Sequence, residues 1–282
     1  VVLLTETGYL KRMPVSEFEA TSRGTRGKAG TRSQGEDAVK LFISCNDHDT
    51  LVLFSDRGVS YALPAYRVPQ CSRAAKGTPV VQMLPIPREE AITSLISVSE
   101  FSDETDLLML TSGGFIKRTR LSAFSNIRSN GLIAINLEEG DALTWVRLAM
   151  PGDSVLIGSK AGMTIHFRLS DEELRPLGRT ARGVRSMNLR DGDALVSMDV
   201  LPVELADQVA ASADDEEDAA SEGPWVLVAS SSGLGKRVPV TQFRLQKRAG
   251  MGLRAMKFRT ESDELMGLSV FGAGEELLLV SE

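Results

Sequence analysis

The chain opens with VVLLTETG (1–8), an apolar run that ends at a glycine, and four later segments repeat this pattern: LVLFSDRG (51–58), LLMLTSGG (107–114), SVLIGSKAG (154–162) and WVLVASSSG (225–233). The final glycines of these segments are separated by 50, 56, 48 and 71 residues. A period near 50 residues that holds about four short strands is typical of propeller-like arrays, in which each repeat forms one small sheet.

Each repeat carries the same order of elements. The apolar run predicts a strand buried on both faces, and the glycine, here called the turn glycine, reverses the chain. A second strand follows, and then a corner where Ser or Thr can cap one helical turn that an aromatic residue or Leu pins to the sheet. The corners are SEF (16–18), AY (65–66), SAF (122–124), SDEEL (170–174) and TQF (241–243).

A basic loop follows each corner, and the repeat ends with further strands. One strand of each such repeat is predicted by a segment that alternates apolar and polar residues. Examples are GLIAINL (131–137), GVRSMNL (183–189) and GLRAMKF (252–258). A closing strand then ends the unit, as in AITSLISV (91–98). The sequence therefore predicts an all-β fold, a β-pinwheel of four-stranded blades.

We predict one domain over residues 1–282, with five full blades and the first strand of a sixth. The blades are predicted at about 1–45, 51–98, 107–148, 154–201 and 225–271, and the partial sixth at 275–282. An insert at 202–223, predicted as coil, lengthens the last interval.

Composition argues against several classes of protein. No apolar run approaches the roughly 18 residues that cross a membrane, so a cytoplasmic protein is expected. Cys45 and Cys71 are far apart and are predicted to be free thiols, while His48 and His166 have no partners at metal-ligand spacing. No grouping of residues predicts a catalytic triad, a cofactor or a metal site.

The net charge of −6 is unevenly distributed. Residues 199–222 contain nine Asp or Glu and no Lys or Arg, so the rest of the chain has a net charge of +3. The DDEED run at 214–218 predicts a solvated loop, or a segment that modulates a basic surface electrostatically.

Positive charge recurs at two places in the repeat. The second-strand cations are Lys11, Arg12, Lys117, Arg118, Lys236 and Arg237. The loop cations are Arg23, Arg26, Lys28, Arg73, Lys76, Arg128, Arg179, Arg182, Arg185, Lys247 and Arg248. Equivalent positions of successive blades share one rim of a propeller, so this recurrence predicts a basic band that contacts duplex phosphates without reading bases.

Several segments resemble one known family. TGYLKRMPVSEFEATSRGTRGKAG (7–30), FSDRGVSYALPAYRVP (54–69), GLIAINLEEGDAL (131–143) and SSSGLGKRVPVTQF (230–243) are similar to the C-terminal DNA-wrapping domain of DNA gyrase A. That family has a seven-residue box, Gln-Arg-Arg-Gly-Gly-Lys-Gly, and residues 21–27 read Thr-Ser-Arg-Gly-Thr-Arg-Gly. Arg23, Gly24 and Gly27 match the box, and Arg26 keeps the charge of its Lys. The C-terminal domain of the corresponding topoisomerase IV polypeptide, which has a degenerate box, is the alternative.

The resemblance implies a module that binds and wraps double-stranded DNA and presents it for strand passage. Its implied partners are the rest of gyrase A and gyrase B in an A2B2 holoenzyme, and the isolated domain is expected to be a monomer. In this interpretation Arg23, Arg26 and Lys28 contact phosphate, and Gly24 and Gly27 let the backbone approach. The family's catalytic tyrosine belongs to another domain, so no enzymatic activity is expected here. A protein-interaction propeller is the rival interpretation.

Overall fold

The computed structural model describes residues 1–18, 37–212, 223–260 and 262–272. The chain divides into two compact units. The first contains Val1–Phe101 and Ala123–Ala134, and the second lies within Ser102–Ser122 and Ile135–Glu275. The first unit contains two sheets and the second contains three.

Every repeat builds three antiparallel strands with its apolar run in the middle. These opening strands are β1 (Val2–Thr5), β4 (Thr50–Ser55), β8 (Asp106–Thr111), β12 (Ser154–Ser159) and β16 (Trp225–Ser230). The second strands are β2 (Tyr9–Arg12), β5 (Val59–Pro64), β9 (Phe115–Arg120), β13 (Met163–Arg168) and β17 (Gly235–Pro239). The closing strands are β3 (Val39–Ile43), β7 (Ile92–Val98), β11 (Leu143–Ala149), β15 (Leu195–Leu201) and β19 (Leu265–Phe271).

The fourth strand of a sheet comes from the next repeat. These exchanged strands are β6 (Thr78–Pro79), β10 (Leu132–Ile133), β14 (Val184–Arg185) and β18 (Leu253–Arg254). They pair with β2, β5, β9 and β13 of the preceding repeat, respectively. The fifth sheet has three strands among the described residues, in the order β17-β16-β19.

The sequence pattern placed β10, β14 and β18 in their own repeats and made them too long. Only two residues of GLIAINL form a strand, because Ala134 and Ile135 then turn into the core, where both are buried. The Ala134 amide donates to the Gly58 carbonyl oxygen at 2.8 Å. Each pairing therefore holds the loop that precedes the exchanged strand against the repeat before it.

The predicted opening, second and closing strands and the turns of the five repeats are otherwise confirmed, whereas the strand predicted at 275–282 lies outside the described residues. The opening strands β8 and β12 are buried at all six positions, and all five turn glycines have positive φ, between 76° and 85°. Each corner contains a single helical or 3₁₀ turn, and the Ser170 hydroxyl accepts from the Glu173 amide as a cap. Phe124 and Phe243 pin their corners from buried positions, whereas Tyr66 is exposed and does not.

Apolar residues of neighbouring sheets form the cores. In the first unit, one cluster joins Leu4 and Leu10 to Leu51, Leu53 and other residues of the second sheet. In the second unit, one cluster spans the sheets built on β8 and β12, and another spans those built on β12 and β16. A repeat therefore completes its apolar burial only against its neighbour, as expected for stacked repeats.

The prediction of coil over residues 202–223 is wrong at its start. A helix, α1, spans Val203–Ser212, and its N-terminal Val203 amide donates to Asp153 Oδ1 at 2.9 Å. The run is rich in Ala, Leu, Glu and Gln, which have high helix propensity. Leu205 and Ala206 pack against the core next to β16, whereas DDEED lies outside the described residues. None of the helices in the described ranges is long and apolar enough to cross a membrane.

Candidate nucleic-acid interface

Lys117 is buried, although it was predicted to contact phosphate. It is the third residue after a turn glycine, and its side chain has 0% exposure. Its Nζ donates to the carbonyl oxygens of Gly178 and Arg179, at 3.3 and 2.5 Å, in the basic loop of the next repeat. An ammonium group enclosed in this way cannot reach DNA, so Lys117 does not belong to an exposed basic band.

Lys11 corrects the prediction in the same way. It occupies the equivalent position in the first repeat and is also 0% exposed. Its Nζ donates to the Arg73 and Ala75 carbonyl oxygens at 2.9 and 3.0 Å. Both lysines lie on second strands that are enclosed between an opening strand and an exchanged strand.

The buried position changes the acidity of both ammonium groups. Burial lowers the pKa of Lys117 to about 7, and the positive charge of Arg179 adds to the effect. Burial also lowers the pKa of Lys11; the neighbouring Cys71 opposes this shift, and the Arg73 charge reinforces it. The loop carbonyl oxygens compensate part of the cost, since a hydrogen bond to the charged form favours that form.

Arg118 is a third correction. Its side chain is 3% exposed, and its Nε lies 3.3 Å from Oδ2 of Asp106, which is 1% exposed. A second nitrogen donates to the Leu169 carbonyl oxygen at 2.8 Å, and a third is paired with Asp171. Arg118 thus holds a buried ionic network together and is not available for phosphate.

Arg12, by contrast, is half-buried. It pairs with Asp47 at 2.6 Å and donates to the Val68 carbonyl oxygen at 3.2 Å. Lys236 and Arg237 are exposed. The Arg237 guanidinium lies over the Trp225 ring, 4.3 Å from its centroid.

Aromatic rings hold the loop cations of two repeats. Arg182 and Arg185 are exposed, and both lie over the Phe115 ring, at 4.7 and 4.6 Å from its centroid. In the first unit, the exposed Lys76 lies 4.1 Å from the Tyr9 centroid. Phe115 and Tyr9 are equivalent residues, each directly after a turn glycine. The ring faces attract the cations and restrict where they project.

The remaining loop cations differ in exposure. Arg128 and Lys247 are exposed, whereas Arg73, Arg179 and Arg248 are half-buried. Arg248 is tied to its surroundings, since its guanidinium donates to the Arg185 and Glu173 carbonyl oxygens at 2.6 and 2.9 Å. The predicted box residues Arg23, Gly24, Arg26, Gly27 and Lys28 lie outside the described residues.

Sequence reasoning missed two parts of this interface. Arg254 is exposed on β18 and is equivalent to Arg185 on β14. The shared pattern Gly-x-Arg in GVR (183–185) and GLR (252–254) could have identified it. The aromatic residue after the turn glycine was not predicted to contact the loop cations, as Tyr9 and Phe115 do.

The five repeats match the model of a known protein family. The model of the family "DNA gyrase C-terminal domain, beta-propeller" matches residues 1–44, 49–99, 105–149, 153–202 and 224–271. The chain belongs to this family. The five matched ranges correspond to the five repeats and omit the acidic insert.

The curated relatives of the chain are named as DNA gyrase A proteins. DNA gyrase A of Synechocystis sp. is 54% identical over 294 residues, and the match covers 100% of the chain and 34% of the relative. The chloroplastic/mitochondrial DNA gyrase A of Arabidopsis thaliana is 40% identical, with coverage of 100% and 30%. The chain therefore spans about a third of the length of the relatives it matches.

Two solved structures share the fold. The C-terminal domain of DNA topoisomerase IV matches with a TM-score of 0.69 at 24% identity, covering 96% of this chain and 76% of that one. A DNA gyrase A C-terminal domain matches with a TM-score of 0.60 at 20% identity, covering 96% and 98%. Together with the family match, they establish the all-β pinwheel class that was predicted from the repeats.

Proposed function

We propose that this gyrase A C-terminal domain binds duplex DNA through the phosphate backbone and bends or wraps it. The observation that carries the proposal is the set of exposed loop cations fixed over aromatic rings, Arg182 and Arg185 over Phe115 and Lys76 over Tyr9. Cations held in place before binding lose less side-chain entropy when they meet a phosphate.

Duplex DNA is a better ligand for these exposed cations than single-stranded DNA. Single strands bind where exposed aromatic faces stack on bases. Here the faces of Phe115, Tyr9 and Trp225 are occupied by cations from the protein itself. Guanidinium and ammonium groups instead offer charge to phosphates, and such contacts position the duplex without selecting its sequence.

Membership of the gyrase family suggests the process in which this DNA binding takes part. We propose that the domain presents a DNA segment for strand passage by a type IIA topoisomerase that also contains the rest of gyrase A together with gyrase B. In this proposal the domain supports negative supercoiling in the cytoplasm, as a monomeric module that contributes no catalytic residue, metal or cofactor. Arg23, Arg26 and Lys28 remain proposed contacts on the family resemblance.

The salt dependence of binding tests the proposal. For B-DNA, log K falls against log salt with a slope of about −0.9 for each neutralised phosphate. We expect Arg182→Ala with Arg185→Ala to weaken binding to all sequences and to make the slope less steep by about 1.8, two contacts' worth. Fluorescence anisotropy with a mixed-sequence duplex of about 150 bp, one persistence length, measures both quantities.

A matched control separates specific contacts from total charge. Arg57 and Arg190 are exposed arginines in turns outside the loop positions, so Arg57→Ala with Arg190→Ala removes the same charge. We expect this control to keep the wild-type slope. Equal losses in both double variants, or a flat salt dependence of the wild-type chain, would contradict binding through the loop cations.

A further inference from the structure

A buried lysine holds the basic loop of the following repeat in two places. Lys117 donates to the Gly178 and Arg179 carbonyl oxygens, and Lys11 does the same for Arg73 and Ala75. In both cases an accepting carbonyl belongs to a loop arginine. The ammonium group therefore binds the backbone of the same segment whose side chains carry positive charge.

Packing alone does not require an ammonium group at this position. The equivalent residue is Tyr61 in the second repeat and Ile165 in the fourth, and both are buried without a charge. Burying a cation is unfavourable, and the nearby Arg179 charge adds repulsion in the case of Lys117. A neutral side chain would fill the same space at a lower cost, so the ammonium group serves another purpose.

The same strand also holds the loop side chains. Phe115, two residues before Lys117, carries Arg182 and Arg185 on its ring face. The loop between these contacts runs from Gly178 to β14, where Val184 pairs with Ile116. β9 thus contacts the loop at three places: Lys117 binds its backbone, Ile116 pairs with its end, and the Phe115 ring contacts its cations.

We propose that Lys117, and Lys11 at the equivalent position of the first repeat, are positioning residues for DNA binding. Each fixes the backbone of the next repeat's basic loop, so that the exposed cations of that loop meet phosphates in a set geometry. The inference rests on the proposed DNA-binding function, and it replaces the direct phosphate contact that the sequence predicted for both lysines.

Lys236 provides an internal comparison. It occupies the same position in the fifth repeat but is exposed, and the sheet there has three strands among the described residues. A lysine in this state can contact phosphate itself. Lysine at this position of the repeat therefore has two roles. It positions a loop where it is buried, as at Lys117, and it contacts phosphate where it is exposed, as at Lys236.

The test is a double-mutant cycle on the 282-residue chain. Lys117→Met removes the ammonium group and keeps a long unbranched side chain. We expect it to weaken binding to the duplex of about 150 bp by roughly threefold to tenfold, which lies in the lower part of the range of coupling measured between residues of one network. In a background of Arg182→Ala and Arg185→Ala the same substitution should have an effect within about twofold, because the cations it positions are gone.

The control is Lys236→Met, which should reduce the salt slope by about 0.9 in either background, as expected for one lost phosphate contact. Equal losses from Lys117→Met in both backgrounds would show a direct contact or general destabilisation, and would overturn the inference. Wild-type affinity of Lys117→Met would overturn it as well. If Arg182→Ala with Arg185→Ala has no effect, the proposed function itself fails.

Circular dichroism and thermal unfolding establish that the variants are folded. If Lys117→Met does not fold, Lys11→Met is tested against Lys76→Ala in the same cycle, with the same expected loss of coupling. If neither lysine variant folds, both residues are required for the core, and the positioning role is rejected.

Discussion

Gly183→Val is expected to lower the free energy of unfolding by at least about 3 kcal/mol. Gly183 has φ of 100°, a conformation that a β-branched residue adopts only under strain. A Cβ atom at this position would lie 2.5 Å from the Ile116 carbonyl oxygen and 2.9 Å from its carbonyl carbon. The clash involves backbone on both sides and cannot be relieved by a rotamer change, so β14 must leave the sheet.

Urea unfolding and amide hydrogen exchange measure this effect. We expect the pairing of Val184 with Ile116 to lose its exchange protection along with global stability. Gly178→Ala is the control, because Gly178 lies in the same loop and, apart from its own chain neighbours, no residue has an atom within 4 Å of the added Cβ. A Gly183→Val protein with near-wild-type stability and protection would contradict the strand exchange.

Asp106→Ala is expected to destabilise the domain by about 3–5 kcal/mol, because the buried Arg118 guanidinium loses its buried carboxylate partner and keeps only the exposed Asp171. Asp106 is 1% exposed and pairs with Arg118 and Arg120 at 3.3 and 3.2 Å. Burial raises the pKa of Asp106, and the two arginines oppose that shift. The carboxylate of Asp106 compensates the buried charge of Arg118. Its removal therefore lowers the stability by more than the ion pair itself contributes.

Glu138→Ala is the matched control for Asp106→Ala. Glu138 also pairs with an arginine, Arg182, but both side chains are 50% exposed. Exposed pairs of this kind contribute at most about 1 kcal/mol. Thermal unfolding should therefore separate the two variants clearly, and similar losses would show that the Asp106 network is not buried in solution.

The sequence predicted the repeat and most of its strands because these depend on local pattern. Five apolar runs with a glycine at the end of each are sufficient to place the opening strands, the turns and the second strands. The exchanged strands were assigned to the wrong sheets because their partners lie in another repeat. Val184, for example, pairs with Ile116, 68 residues earlier.

The candidate site was harder to predict for the same physical reason. Lys117 and Lys236 follow their turn glycines at the same distance, yet one is buried and the other exposed. β9 is flanked by an exchanged strand of the next repeat, whereas β17 is an edge strand in the part of the chain that the structure describes. No local pattern records this difference. Arg118 likewise owes its burial to Asp106 on the adjacent strand and Asp171 in the next repeat.

Bending of duplex DNA around this domain by the exposed loop cations is the central claim, and the linking number of closed DNA tests it most directly. Nicked circular plasmid is ligated in the presence of increasing amounts of the chain, and the topoisomers are separated after the protein is removed. We predict a shift of the topoisomer distribution with one consistent sign, which grows with the ratio of protein to DNA and shrinks for Arg182→Ala with Arg185→Ala. A distribution that stays at its protein-free centre at saturating protein, under salt conditions where binding is measured, would contradict the claim.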